Sequence, residues 1–268
     1  VLEGRPQAPF DPALQYAREQ SIFGAATPFY GWHYPPFFLF IAAALASLPY
    51  LSALALWQGV TLALYLVTIR AIIVDGMSRS LPLSPLPHAP ALARWPDPLW
   101  LLLALAFPAV FVNLGHGHNG FLTAALLGAA LAVLDRRPVL AGVLFALLVY
   151  KPQFGLMVPL VLVASGRWRA FAAALVAVAV LFFLTTVMFG TSVWDAFLVS
   201  LHFTRTVVLE QGETGWHKIQ SVFAWVRMWG GPIALAPMRC RRRRRSGLRW
   251  PSSGCGGARS ISPSRPRP

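Results

Sequence analysis

Long apolar stretches recur from Pro36 to Pro237, and too few charges separate them to cover a soluble surface. Only 12% of the 268 residues are charged, whereas 56% are hydrophobic and the mean hydropathy is +0.58. An ordinary soluble domain carries about 25% charged residues. This shortage excludes a soluble fold and leaves a multi-pass membrane protein. Backbone polar groups inside hydrocarbon must be satisfied within the segment, and continuous apolar runs do this as helices. The expectation is an all-α, polytopic transmembrane helical bundle.

The formal charge of +14 contradicts this only until it is divided along the chain. Residues 239–268 hold ten of the 23 basic residues, both cysteines and no acid. The preceding 238 residues carry a balance of only +4. A nucleic-acid partner is therefore not expected, because the basic character belongs to one tail. That tail runs through Arg239, Cys240 and Arg241–Arg245 and shows no apolar periodicity. Its Arg, Pro, Gly, Ser and Cys composition reads as a GC-rich coding region in the wrong frame, with a shift near residue 237. A basic tail on anionic lipid headgroups is the alternative. The start, Val1-Leu2-Glu3-Gly4, has neither methionine nor an apolar first span and reads as truncated. Three regions follow: a first-loop remnant and juxtamembrane helix over 1–50, a transmembrane bundle over 51–237, and a low-complexity tail over 238–268.

Hydropathy predicts segments at 51–74, 98–113, 119–134, 138–150, 153–165 and 168–190, with a weaker one at 217–237. A span needs about 20 apolar residues, which the first and sixth provide. The four between them are shorter and pair across Asn113–Asn119 and Lys151–Gln153. Short paired helices work when their joining turns line a protein-walled, wet cavity. Direction follows from basic residues in loops, which favour the cytoplasm. Arg70, Arg79 and Arg94 mark one such loop, Arg136 and Arg137 the next, and Arg167 and Arg169 a third. Asn113–Asn119, Lys151–Gln153, Thr191–Trp216 and residues 1–50 then lie outside. Pro36–Pro49 is too short to span and reads as an interfacial or re-entrant helix.

Four polar clusters interrupt the apolar background on that outer side. Tyr30-Gly31-Trp32-His33-Tyr34-Pro35-Pro36 is held extended by its prolines, and also suits an interfacial aromatic belt. In Asn113-Leu114-Gly115-His116-Gly117-His118-Asn119-Gly120, glycines permit a tight turn and two imidazoles share one vertex. His-x-His without a third ligand is a weak metal signal, so no metal is expected. Lys151-Pro152-Gln153 sets an ionisable residue between short apolar segments, a functional pointer by default; snorkelling to the interface is its alternative. Trp216-His217-Lys218-Ile219-Gln220-Ser221 opens the last segment and suits an anionic or hydroxyl-rich ligand. Asp11 before Pro12 reads as a helix cap. The candidate ligand-binding residues are thus Lys151, Gln153, His116, His118, Asn119, His33, Lys218 and Gln220.

In their order and spacing these features resemble bacterial integral-membrane glycosyltransferases of the GT-C superfamily, specifically glycosyltransferase family 87. That family includes mycobacterial polyprenol-phosphate-mannose-dependent mannosyltransferases. The resemblance rests on Gly4-Arg5-Pro6, Phe10-Asp11-Pro12, Tyr34-Pro35-Pro36, the Asn113 vertex, Arg137-Pro138 with Ala141-Gly142, Lys151-Pro152-Gln153 and Gln220-Ser221, and covers about 1–237. It implies a GT-C-like bundle with an extracytoplasmic juxtamembrane helix in the bacterial inner membrane. It further implies hexosyl or mannosyl transfer from a polyprenyl-phosphate sugar to a hydroxyl acceptor on the periplasmic face, with membrane lipids as surroundings and no cofactor beyond that lipid-linked donor. The family's general base is an aspartate in a stretch that would precede Val1, so no catalytic residue is assigned and the copy is expected to be inactive. Members often carry glutamine in the vertex where this chain has His118. A positioned cation would stabilise the leaving phosphate, for which Lys151 and Lys218 are available. Two other readings stay open: a transporter, which would also have broken helices and a polar vertex, and a non-catalytic remnant. Against the transporter, neither an internal repeat nor intramembrane acids are found.

Overall fold

The computed structural model describes residues 3–79 and 97–206, together with 225, 228 and 229. Among them every regular element is helical. The chain divides into two compact units, Val1–Arg205 and Thr206–Pro268. In the second, the described part is an aromatic contact, Trp225 to Trp229, with ring centroids 6.0 Å apart. The predicted segment at 217–237 otherwise lies outside the described residues.

The first unit starts with a surface helix, α1 (Pro12–Phe23). Asp11 caps it as expected, its carboxylate accepting from the Ala13 and Leu14 amides at 2.9 and 3.2 Å. The capped start satisfies backbone donors that the helix cannot satisfy itself. An extended stretch then runs to Pro35, followed by a 3-10 turn (Pro36–Phe38) and a short helix, α2 (Leu39–Leu45). Together these are too short to span, in agreement with the sequence. They pack instead against one end of the unit, where Phe10, Leu39 and Val193 form a buried cluster with Trp32, Phe189 and Phe197 around it.

The bundle proper comprises α3 (Tyr50–Arg79), α4 (Asp97–Ala106), α5 (Pro108–His116), α6 (Gly120–Val133), α7 (Pro138–Leu147), α8 (Pro152–Ala164), α9 (Trp168–Phe189) and α10 (Ser192–Phe203). Tyr50–Ile73 of α3 and the whole of α9 are long and apolar enough to cross a membrane. Most of their surface is uncovered; Leu175, Val176, Phe183, Val187 and Met188 of α9 are all exposed. A soluble protein would aggregate through such a face, whereas lipid solvates it.

The sequence reading of one segment over 98–113 needs correction. The chain bends by 59° between Leu99–Ala106 and Pro108–His116. Pro108 offers no amide to the preceding turn and holds Phe107 extended, with ψ of 125°, so two half-helices replace one rod. The other short segments appear where hydropathy puts them.

Lipid tails do not drive apolar helices together, so close backbone approach between small residues must do much of the work. Ala130, Ala141 and Ala170 are fully buried, and Phe145, Leu148 and Leu162 complete that core. Gly142 lies directly under α9: a β-carbon there would collide with the Ala170 carbonyl oxygen and the Ala173 side chain. The glycine is therefore a packing requirement of the α7–α9 seam.

Candidate functional site

The helices run so that the polar turns gather at one end. Tyr65 of α3 stacks near Phe121 of α6, with centroids 5.5 Å apart, and further along Thr68 faces Gly128. α3 and α6 are thus parallel. α7 returns antiparallel, and its 3-10 extension (Leu148–Tyr150) delivers Tyr150 beside the start of α6. The Tyr150 hydroxyl is 2.7 Å from Thr123 Oγ1 and donates to the Asn119 carbonyl at 3.5 Å. This joins the beginnings of α6 and α8, since Asn119 precedes the one and Lys151 the other. Neither start is capped by a side chain, and each presents the positive end of a helix dipole.

The turn before α6 is built around glycine and asparagine. Gly117 adopts a left-handed conformation with φ of 62°, which closes α5 through amide contacts to Asn113 and Leu114. Asn113 Oδ1 accepts the Gly120 amide at 2.9 Å, and a β-carbon on Gly120 would strike that same oxygen. From α3, Gln58 Nε2 donates to the Leu114 carbonyl at 3.0 Å. The turn is pinned from both sides.

His116 and His118 stack with ring centroids 5.4 Å apart, and His116 Nδ1 is 2.9 Å from the Val112 carbonyl oxygen. Burial, then His116, then Lys151 hold the His118 pKa below its ordinary value. Lys151 therefore lies within electrostatic reach of His118, across a gap of 33 residues in sequence. Burial likewise draws Lys151 below its ordinary value. The result is a polar cluster at one end of the bundle, made of two exposed imidazoles, the half-buried Lys151 and two helix starts. No group of three or more potential metal ligands occurs among the described residues.

Beside this cluster is an aromatic cavity of about 190 Å³, lined by Trp32, Tyr34, Phe38, Trp57, Asn119 and the apolar side chains of α2. Tyr34 stacks on Phe38 at 4.6 Å, Phe38 meets Trp57 edge-on at 6.0 Å, and Trp32 Nε1 donates to the Tyr34 carbonyl at 3.0 Å. Burial raises the Tyr34 phenol, and the Asn119 amide facing it partly opposes the shift. That amide closes no hydrogen bond, however: Asn119 Nδ2 and Asn113 Nδ2 are buried without a partner. Leaving such a donor unmade costs about 1–3 kcal/mol, so each marks a place where the fold retains unused polarity.

The sequence candidates separate accordingly. His116, His118, Asn119 and Lys151 come together. Gln153 is exposed on the first turn of α8. His33 turns elsewhere, with Nδ1 3.0 Å from Thr204 Oγ1, in a crevice of about 10 Å³ that leaves room for one water at most. Its pKa is lowered by burial, and its part is to tie the extended stretch to α10. Lys218 and Gln220 lie outside the described residues. Sequence reasoning missed Trp57, Gln58, Thr123 and Tyr150. An aromatic–amide pair, Trp57-Gln58, inside an apolar helix was a legible signal; the Thr123–Tyr150 contact was not.

Glu3, Asp135 and Glu19 have partners of their own. Glu3 pairs with Arg5 and Arg18, Asp135 pairs with Arg167, and buried Glu19 accepts from Gln15 and from the Tyr30 amide at 2.9 Å. Asp11 remains a helix cap.

No curated protein and no solved structure matches the chain. The family model of glycosyltransferase family 87 matches residues 32–252, a stretch holding the aromatic cavity, the vertex and Lys151 and running past the composition break at 237. Residues 32–252 make up most of the chain; it belongs to glycosyltransferase family 87 and is a membrane glycosyltransferase.

Proposed function

We propose that the chain handles a polyprenyl-phosphate hexose at the periplasmic face of the bacterial inner membrane, as a GT-C-type enzyme passing the sugar to a hydroxyl acceptor. The observation that carries this reading is the gathering of the uncapped starts of α6 and α8, joined through Tyr150 and Asn119, with Lys151 at one and the stacked His116 and His118 beside the other. An anion suits that arrangement, because helix starts and cations both favour negative charge. The phosphate of a lipid-linked donor is an anion held at membrane depth, and phosphate is also the leaving group whose developing charge a fixed cation stabilises. The basic loops at the other end, Arg136, Arg137, Arg167 and Arg169, support a periplasmic side for this cluster. A hydroxyl acceptor is a weak nucleophile near neutral pH and calls for a carboxylate base; none of the carboxylates whose contacts are described above is assigned that role.

The test is direct. The full chain in lipid nanodiscs should bind radiolabelled polyprenyl-phosphate hexose saturably, and Lys151→Ala should weaken that binding at least tenfold. Lys151→Arg should retain part of it. Equal binding by a well-folded Lys151→Ala variant would overturn the reading, as would failure to bind the lipid phosphate at all.

A further inference from the structure

α7 and α9 both start at the end of the bundle opposite Lys151, where Asp135 meets Arg167 and Pro138 lies beside Trp168. Their seam leaves an open groove of about 660 Å³, within the range of ligand sites, about 300–1,000 Å³. Val139, Val143 and Leu147 form its α7 wall. Ala173, Val176 and Val180 follow one another along its α9 wall, with Arg169 at the top. Residues three and four apart share one helix face, so both walls are continuous. From Arg169 to Leu181 the α9 wall runs about 18 Å, at about 1.5 Å per residue. A hydrocarbon core is about 30 Å thick, so the groove is about one leaflet deep.

Every residue lining the groove is apolar except Arg169. That arginine also borders a second cavity, of about 350 Å³, shared with Asp135, Gly166, Arg167 and Trp168. One side chain thus joins an apolar trough to a polar mouth. Exposed Trp168 beside it sets the headgroup level. Asp135 is committed to Arg167, whereas Arg169 is exposed and makes no ion pair among the described residues. The mouth therefore carries one unmatched positive charge directly above apolar surface.

A phosphate above hydrocarbon is the layout of a phospholipid. An apolar helix would cover the trough but leave Arg169 without a counter-charge. A zwitterionic headgroup brings its own cation and leaves the same charge uncancelled, while a net-anionic headgroup cancels it. We propose that α7 and α9 form a binding site for one anionic phospholipid of the phosphatidylglycerol type. Its phosphate sits on the Arg169 guanidinium in the polar mouth, and one acyl chain lies along the groove. Such a lipid covers the outer side of the seam that Gly142 draws tight, and this site is independent of any lipid-linked sugar bound at the other end.

The experiment offers the full chain in detergent an equimolar mixture of phosphatidylglycerol and phosphatidylcholine with identical acyl chains, and native mass spectrometry reads the lipid retained. Phosphatidylglycerol should be preferred about fivefold, the attraction of one basic residue for an anionic lipid. Arg169→Gln should remove the preference, and Arg169→Lys should retain most of it. Arg137→Gln, which borders neither cavity, should keep it in full. Val143→Phe narrows the groove and should lower retention, whereas Leu175→Phe, exposed on α9 outside the groove, should not. That pair tests the groove independently if Arg169→Gln fails to fold. Equal retention of both lipids by the parent chain would overturn the proposal. Equal loss in Arg169→Gln and Arg137→Gln would do so too, by showing diffuse charge in place of a site. Retention unchanged in Val143→Phe would remove the chain from the groove, and a lipid-free dimer broken by Val143→Phe would give the groove to a second copy; either result sinks the proposal.

Discussion

The two ends of the helical bundle solve the problem of polarity in opposite ways. At the end holding the 134–137 and 165–168 turns, Asp135 pairs with Arg167 on the surface, where both side chains are about half exposed. Water and lipid headgroups can solvate everything there, and an exposed ion pair contributes at most about 1 kcal/mol. At the other end, Asn113, Asn119, Thr123 and Tyr150 are drawn into the protein, two amide donors are buried, and Lys151 comes within electrostatic reach of His118. The first end is a membrane-interface boundary. The second retains uncompensated polarity, and stability not spent on self-satisfaction is available to a ligand.

Removing one cation from the second end should have the largest effect. Lys151→Ala is expected to weaken binding of polyprenyl-phosphate hexose by about 10- to 100-fold, the range for a charged hydrogen-bond partner, measured by titration of nanodisc-held protein. Arginine keeps the charge but changes the reach, so Lys151→Arg should fall between. Loss of the same size in Asp135→Ala would erase the distinction between the ends.

The turn itself comes next. Gly120→Ala should destabilise the chain by about 1–3 kcal/mol, because its β-carbon must displace the oxygen that holds the turn. Gly115→Ala should be neutral or stabilising by up to about 1 kcal/mol, since open space surrounds it inside α5. Thermal unfolding in detergent reads both; equal midpoints would mean the Asn113–Gly120 contact does not hold the vertex.

A smaller effect is expected with pH. His118 titrates below its ordinary value of 6.5 in the folded chain, so near neutral pH it is uncharged. Between its folded and unfolded values the unfolded chain binds more protons, and stability rises with pH there. Stability should hold above pH 6.5 and decline as pH falls through the folded value, and His118→Gln should flatten part of that decline. His33, also lowered by burial, contributes in the same direction and should leave a residual slope. A slope of opposite sign would mean that these imidazoles gain proton affinity on folding instead of losing it.

The smallest effect belongs to the first end. Asp135→Asn should change the unfolding midpoint by less than about 1 kcal/mol's worth and leave ligand binding unaltered. A larger change would mean that the Arg167 contact positions α9 rather than decorating its start.

Much of this architecture was legible in the sequence because hydrocarbon imposes a simple rule on composition. The two full-length apolar helices, the short helices between them, the capping by Asp11 and the non-spanning stretch after Pro36 all follow from segment length and local backbone chemistry. Pro108 also stood in the sequence, but its bend was not anticipated because apolarity runs straight through it. The vertex residues were visible as polar interruptions. His33 had the same appearance and is a tie to Thr204, since an interruption in hydropathy says that a residue is out of place without saying what it meets.

What the sequence determined by itself was the class of solvent and the spans it demands: an all-α membrane chain with polar turns, resembling glycosyltransferase family 87, to which the chain belongs. Tertiary structure alone decided which polar residues form one site. Asn119 and Tyr150 are brought together by the antiparallel return of α7, and Trp57 is brought to Phe38 by the packing of the short helix after Pro36. Local propensity carries no information about such meetings, because they depend on how far each helix travels before the chain turns back.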